Sequence, residues 1–408
     1  MKNSERLKYL ADIFISTVDK KSADGEQPVA LCNYMDVYYN ARITDTIEFM
    51  AATATLDQVS QFTLRSGDIL LTKDSETADD IGVSALVPED LPGVVCGYHL
   101  ALIRANQSLV EPSYLFWTLC SDTVRCQFTA AATGVTRFGL RSDAIGEAAI
   151  PMRPLAEQRA IADYLGAETA RIDALLSTKQ QMIELFRART DALVEDEIGK
   201  LRRQCSEVPM KRLVWEVDQR LGERTPPEML SVSIHHGVVP RSLMTDKLPR
   251  AEELSAYKMC EPDDIVLNRM RAFQGGVGRS PQAGIVSPDY AVLRPCNLAL
   301  SQYLHYVFRS PWFIGEMTAR LRGIGDSEQG NVRTPRINVA ELGLIKVPLP
   351  SVTIQAQLVD KIDGKVAQMR TIAEKLSHQI DLLREHRQAL ITAAVTGELE
   401  ISVQEAVA

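Results

Sequence analysis

Ile150-Pro151, Gln158-Arg159-Ala160-Ile161 and Ala192-Leu193 recur 197 positions later as Val347-Pro348, Gln355-Ala356-Gln357-Leu358 and Ala389-Leu390. Residues 151–204 and 348–401 are therefore two copies of one design. In the first copy Ile161, Leu165, Ile172, Leu175, Met182, Phe186 and Leu193 fall on one alternating four-three series. The second copy carries Leu358, Ile362, Met369, Ile372, Leu376, Leu383 and Leu390 on the corresponding series. Apolar residues every ~3.5 positions give a helix one adhesive seam, which has to be buried against another helix. Two such helices in one chain most simply pair with each other, as an antiparallel coiled coil.

The duplication extends to what precedes each helix. Ser66-Gly67-Asp68-Ile69-Leu70-Leu71 corresponds to Pro262-Asp263-Asp264-Ile265-Val266-Leu267. Leu100-Ala101-Leu102-Ile103-Arg104 corresponds to Tyr290-Ala291-Val292-Leu293-Arg294, and Gly134-Val135-Thr136 to Asn331-Val332-Arg333. The offset drifts between these matches, so loop lengths differ while strand-like runs persist. The expected fold is α+β: a first globule over 1–150, a helix over 151–205, a second globule over 206–347, and a helix with a short tail over 348–408. Two related globules held apart by a spacer suit a bipartite, pseudo-symmetric target.

A chain of 408 residues has room for two domains with separate cores. No apolar run approaches the ~18–20 residues that cross a bilayer, and Met1-Lys2-Asn3-Ser4-Glu5-Arg6 leads into no signal-peptide core. Seven cysteines, at 32, 96, 120, 126, 205, 260 and 296, form no CxxC pair. They point to the reducing cytoplasm and to packing as small hydrophobes. Net charge is −8, and residues 1–150 alone hold 12 Lys+Arg against 20 Asp+Glu. Only 206–347, with 18 against 16, is mildly basic. A free-standing DNA binder is usually strongly basic, so any DNA contact by this chain implies phosphate charge shared with a partner protein.

Catalytic signatures are missing from the sequence. His99, His235, His236, His305, His378 and His386 show no metal-ligand spacing beyond one adjacent pair. Gly275-Gly276-Val277-Gly278-Arg279 lacks phosphate-loop spacing and reads as a turn, and there is no GxSxG elbow. Pro226-Pro227, between Thr225 and Glu228, is not the base-gripping [DNS]-P-P-[aromatic] loop of an amino-methyltransferase. The chain is expected to be non-catalytic by itself, with no metal and no cofactor of its own.

Polar residues, by contrast, follow matching strands. Lys73 and Ser75 come after Ile69-Leu70-Leu71, and Asn268, Arg269, Arg271 and Gln274 come after Ile265-Val266-Leu267. Nearer each helix lie Thr136 and Arg137 in the first half, and Arg333, Thr334 and Arg336 in the second. Arginine suits guanine in the major groove, and asparagine or glutamine suits adenine. Any one of these side chains alone reads more readily as a solvated surface residue. Their recurrence at the same place in both halves favours a shared binding face.

The whole chain resembles the specificity subunits of type I restriction-modification systems. The likeness rests on the repeated helices and on several stretches in the first half: Leu31-Cys32-Asn33-Tyr34-Met35-Asp36-Val37-Tyr38-Tyr39-Asn40, Thr72-Lys73-Asp74-Ser75-Glu76-Thr77, Cys96-Gly97-Tyr98-His99-Leu100 and Pro154-Leu155-Ala156-Glu157-Gln158-Arg159. In the second half it rests on Asn268-Arg269-Met270-Arg271-Ala272-Phe273-Gln274-Gly275, Phe308-Arg309-Ser310-Pro311-Trp312-Phe313, Gln329-Gly330-Asn331-Val332-Arg333-Thr334-Pro335-Arg336 and Ala394-Val395-Thr396-Gly397-Glu398-Leu399. The second repeat departs at Ser351-Val352-Thr353-Ile354-Gln355, which lacks an acidic residue before Gln355.

The resemblance implies two target-recognition domains, each reading one half of a split double-stranded DNA sequence, with the paired helices as a ruler. About 40 helical residues at ~1.5 Å each span roughly 60 Å. It also implies two copies of a DNA methyltransferase subunit carrying S-adenosylmethionine, a motor-endonuclease subunit for restriction, and no membrane. Two other classes compete: a coiled-coil scaffold that binds proteins, which would suit the negative charge, and a self-contained enzyme, for which no nucleophile, metal site or cofactor loop is found.

Overall fold

Each long helix starts just after a proline, at Leu155 following Pro154 and at Val352 two residues beyond Pro350. A computed structural model of the chain describes residues 4–234, 237–244, 254–321 and 336–401. In it the helices run Leu155–Gln204 and Val352–Thr396. The second ends at Gly397, whose φ of +78° is left-handed and lets the Gly397 and Leu399 amides both cap the Ala393 carbonyl at 3.1 Å.

The chain divides into two compact units, Met1–Lys179 with His378–Ala408, and Gln180–Ser377. Ser377 is the repeat equivalent of Gln180, so each unit takes one half of each long helix. Within each unit the two halves run antiparallel. In the first, Arg387 Nε donates to Asp173 at 2.9 Å and Lys179 Nζ to Gln379 at 2.8 Å. In the second, Thr190 Oγ1 meets Met369 Sδ at 3.3 Å and Lys361 Nζ meets Glu197 at 2.9 Å. The two residue numbers of each pair sum to 558–560, as an antiparallel register requires.

The seam differs from the expected one at three places. Leu175, Met182 and Ile372 are exposed, at 50%, 39% and 36%. Their chain neighbours face inward instead: Leu176 and Ala373 are half-buried and Ile183 is buried. Each miss is an apolar doublet, in which either residue satisfies an apolar pattern and only helix geometry chooses. Ile161, Leu165, Ile172, Leu358, Ile362 and Leu376 are buried, while Phe186, Leu193, Met369, Leu383 and Leu390 are half-buried.

Each globule is built on a four-stranded antiparallel sheet of the same order. In the first unit it runs Ala11–Ile15, Leu100–Ala105, Asp68–Thr72, Ser84–Leu86. In the second it runs Val214–Val217, Tyr290–Pro295, Ile265–Asn268, Val277–Arg279. Strand alternation sends Ile69, Leu71, Ala101 and Ile103 to one core, and Leu70, Leu100 and Leu102 to another. Ile265, Leu267 and Leu293 part from Val266 and Val292 in the same way. The first face is covered by two short helices, Pro112–Cys120 and Asp122–Ala131, or Ser301–Arg309 and Pro311–Thr318. The second face carries further strands: Met50–Ala54, Gln27–Cys32 and Val94–Cys96 in the first unit, and two separate pairs in the second. Mainly antiparallel sheets, with one parallel pair between Gln27–Cys32 and Val94–Cys96, and helices gathered on one side make an α+β fold, as expected.

The same polar devices fasten both globules to their helices. Gln158, fully buried, accepts from the Glu111 amide at 2.8 Å and donates to Arg153 O at 2.7 Å. Gln355, also fully buried, accepts from the Leu300 amide at 2.8 Å and donates to Leu298 O and Pro350 O at 3.0 Å. The missing acidic residue before Gln355 therefore leaves this contact intact. Tyr114 and Tyr303 donate to the carbonyls of Pro151 and Pro348 at 2.8 and 2.6 Å. All seven cysteines are free, but they are not uniformly core: Cys32, Cys96 and Cys260 are buried, whereas Cys126 is exposed.

Candidate nucleic-acid interface

The sheet of the first unit ends in a turn that gathers both predicted clusters. Beyond Thr72 the Lys73 amide donates to His99 O at 3.1 Å, and Asp74–Ser75 pairs antiparallel with Phe138–Gly139. That pairing sets Phe138 opposite Ser75, with Arg137 next to it in the chain, and the Leu140 amide donates to Lys73 O at 2.7 Å. Thr133 and Gly139 exchange two backbone hydrogen bonds, at 3.1 and 2.9 Å, and close the loop that presents Val135, Thr136 and Arg137 to solvent. Gly134 has φ +147°, and a Cβ there would lie 1.9 Å from Arg137 O, so only glycine fits.

Few of these side chains are free. Lys73 Nζ lies 3.2 Å from Asp74 Oδ2 and 5.2 Å from the Tyr98 ring centroid. His99 Nδ1 shares that same carboxylate oxygen at 2.6 Å. Burial alone would raise the Asp74 carboxyl, but the hydrogen bonds from His99 and Lys73 outweigh it and hold the group below its ordinary range. Ser75 is 5% exposed and accepts from the Thr77 amide at 3.3 Å, so its hydroxyl does not reach the surface. Around the cluster stand Tyr34 and Tyr38, stacked with centroids 5.6 Å apart, and the Tyr38 hydroxyl donates to Asp80 at 2.9 Å.

The second unit repeats the placement with more cations. After Ile265–Asn268 a short 3₁₀ turn, Ala272–Gln274, ends at Gly275 with φ +82°. Arg271 and Gln274 are exposed on this turn. Asn268 is 7% exposed, and its Oδ1 caps the Met270 amide at 3.1 Å, so it shapes the turn from inside. Arg269 pairs with Glu216 through Nη2, and its buried Nε has no partner among the described residues. The Ile337 amide donates to Arg269 O at 3.2 Å, which seats Arg336 next to the turn. There Arg336 lies 3.5 Å from Asp289, both half exposed. Arg333 and Thr334 lie outside the described residues, as do His235 and His236.

Pattern reading overlooked several residues at these faces. Tyr34, Tyr38, Tyr98 and His99 join the first, and Arg241 joins the second. The Tyr290 phenol is pushed up by burial, against the opposing pull of its Ser231 hydrogen bond and of the Arg271 and Arg241 charges beside it. Aromatic residues set among polar ones immediately before or after a strand were the available signal. Among the described residues no three His, Cys, Asp or Glu side chains form a group that could hold a metal ion, and no helix is long and apolar enough to cross a membrane.

Residues 6–185 match the profile of the family described as the type I restriction modification DNA specificity domain. Curated relatives are of one kind. The StySPI specificity subunit of Salmonella potsdam is 24% identical over 35% of this chain and 30% of its own length. The putative MjaX specificity subunit of Methanocaldococcus jannaschii is 21% identical over 85% of this chain and 81% of its own. The first part of the chain thus carries the type I restriction modification DNA specificity domain, and the chain is similar to type I specificity subunits over most of its length. The Escherichia coli EcoBI specificity subunit is 20% identical over 66% of this chain and 62% of its own. Matched regions thus span less than two thirds of the Salmonella and Escherichia coli relatives. A solved chain from work on complex assembly and conformational transition of the type I R-M system shares the fold, with a TM-score of 0.67 at 17% identity, over 97% of this chain and 98% of that one.

Proposed function

We propose that this chain is the DNA sequence-specificity subunit of a type I restriction-modification complex. Each unit reads one half of a bipartite duplex target, and the long helices set the spacing between the halves. The observation that carries this reading is the repeated face. In both units a Lys- or Arg-bearing turn follows the same sheet strand and is joined by a second basic segment, Arg137 or Arg336. Turns of this kind enter the major groove, where arginine and glutamine meet base edges while other cations hold phosphates.

The chain is non-catalytic by itself in this reading. Two copies of a methylation subunit supply S-adenosylmethionine and the base chemistry, and a motor-endonuclease subunit joins for restriction, all in the cytoplasm. Partners also supply the phosphate-neutralising charge that a chain of net charge −8 lacks. The outward members of the apolar doublets are a docking surface for the methylation subunits. Leu175 and Leu382 are 50% and 49% exposed in the first unit, and Leu185 and Ile372 are 68% and 36% exposed in the second. Ile372 and Leu382 are the repeat equivalents of Leu175 and Leu185, so each unit offers the same pair and two identical partners fit.

Methylome sequencing of cells carrying this chain, with and without the neighbouring methyltransferase gene, tests the reading. A split motif with a fixed gap, modified only when both genes are present, is the expected result. If no motif depends on this chain, and the purified complex prefers no sequence, the protein-binding scaffold replaces it.

A further inference from the structure

Resting on that reading, we infer that Tyr98 is a base-contacting residue of the first unit. Its ring packs against the C5-methyl of a thymine in the major groove, and Lys73 braces that ring instead of meeting a phosphate.

The backbone around Tyr98 is held in an unusual shape. The Gly97 amide donates to Cys32 O at 2.8 Å, and a Cβ at Gly97 would lie 2.6 Å from that carbonyl. The Tyr98 amide donates to Val18 O at 2.8 Å. His99 then takes φ +73°, a left-handed conformation that residues with a side chain seldom adopt outside constrained sites. It stays there because Asp74 holds its Nδ1 and the Lys73 amide holds its carbonyl. The result turns Tyr98 outward.

Two neighbours fix the ring itself. His99 meets it with centroids 4.1 Å apart, and the Lys73 ammonium sits over it at 5.2 Å. Lys73 has a side chain only 16% exposed and already touches Asp74, whereas Tyr98 is 46% exposed. A shielded, paired ammonium is a poor phosphate contact. A ring braced on two sides is a rigid apolar surface, and thymine alone among the four bases shows a methyl in the major groove. By the strand correspondence of Leu100 with Tyr290, Tyr98 aligns with Pro288. The two units therefore read their halves by different chemistry.

The test uses the full chain with its methylation subunit, on duplexes carrying its motif with each half-site thymine replaced singly by deoxyuridine, over a salt series. At one thymine the wild type is expected to lose about tenfold in affinity, and Tyr98→Ala to be indifferent to the replacement. Tyr98→Phe should behave as wild type, which also shows that the fold survives. Lys73→Ala should weaken binding with an unchanged salt slope. The inference is overturned if no thymine methyl matters, if Tyr98→Phe loses as much as Tyr98→Ala, or if Lys73→Ala flattens the slope by about one. A wild-type complex that prefers no sequence overturns the functional reading and this inference together, whereas a selective complex indifferent to Tyr98 overturns this inference alone.

Discussion

Arg104 grips Asp68 with both edges of its guanidinium, Nε to Oδ1 at 2.8 Å and Nη2 to Oδ2 at 2.7 Å. Arg294 grips Asp264 in the same way, at 2.8 Å for both bonds. Each carboxylate also accepts a backbone amide three residues earlier, from Arg65 or Glu261 at 2.9 Å. The aspartates are 1% exposed, so each pair welds the start of one central strand to the end of its neighbour beneath the surface. Removing either aspartate leaves a backbone amide without its acceptor and a partly exposed arginine without its partner. Asp68→Ala and Asp264→Ala are each expected to destabilise their own unit by about 1–3 kcal/mol, measured by chemical denaturation. Losses below about 1 kcal/mol would show the pairs to be solvated.

The helix seam gives a two-sided prediction. Ile183 and Leu376 are 6% and 8% exposed, and their numbers sum to 559, within the register of the observed pairs. Ile183→Asp with Leu376→Asp buries two carboxylates, and should melt the second unit's helix pair in a circular dichroism scan. Leu175→Asp with Ile372→Asp alters exposed positions, and the fold should survive. Under the proposed function that second double variant still loses the methylation subunit in gel filtration.

Gln158 and Gln355 separate hydrogen bonding from size. Replacement by leucine keeps the bulk but leaves buried backbone groups without partners, at about 1–3 kcal/mol. Gln355 makes three hydrogen bonds where Gln158 makes two. Gln355→Leu is therefore expected to lower the melting temperature more than Gln158→Leu, and the reverse order would show that packing dominates.

His305 predicts a pH dependence confined to the second unit. Burial, aided by the Arg309 and Arg279 charges, drives its imidazole down to about 3 from an ordinary 6.5. Its Nδ1 accepts the Arg279 amide at 3.1 Å, which requires the neutral ring. The unfolded chain thus binds the proton more tightly than the folded one. This contribution to stability is complete above pH 6.5 and is lost as pH falls from 6.5 towards 3. Phe116 occupies the equivalent position in the first half. His305→Phe should flatten the stability curve across that window, while a curve of unchanged slope would place the titration elsewhere.

On DNA, Arg271 is exposed with no ion-pair partner among the described residues. Arg271→Ala should lower affinity and reduce the salt slope by about one if it holds a phosphate. A loss confined to one base position, at unchanged slope, would make it a base contact.

The sequence alone carried the repeat, and with it the α+β plan, the two long helices and their antiparallel pairing. Periodicity and duplication are properties of residue order, so they need no coordinates to be seen. It also placed Lys73 and Arg269 at equivalent strand ends. What it left open were choices between chemically similar neighbours. Leu175 and Leu176 are the same residue type, and only the accumulated turn of the helix decides which faces inward. Asn268 and Ser75 looked like surface donors, yet the fold turns one onto its own turn and buries the other. Lys73 looked like a free cation until Asp74, His99 and Tyr98 closed around it. Asp74 is the chain neighbour of Lys73, but Tyr98 stands 25 positions from Lys73 and His99 25 from Asp74, and contacts at that separation exist only once the strands have paired. Tertiary structure decided which polar groups are spent on the fold and which are left for a ligand.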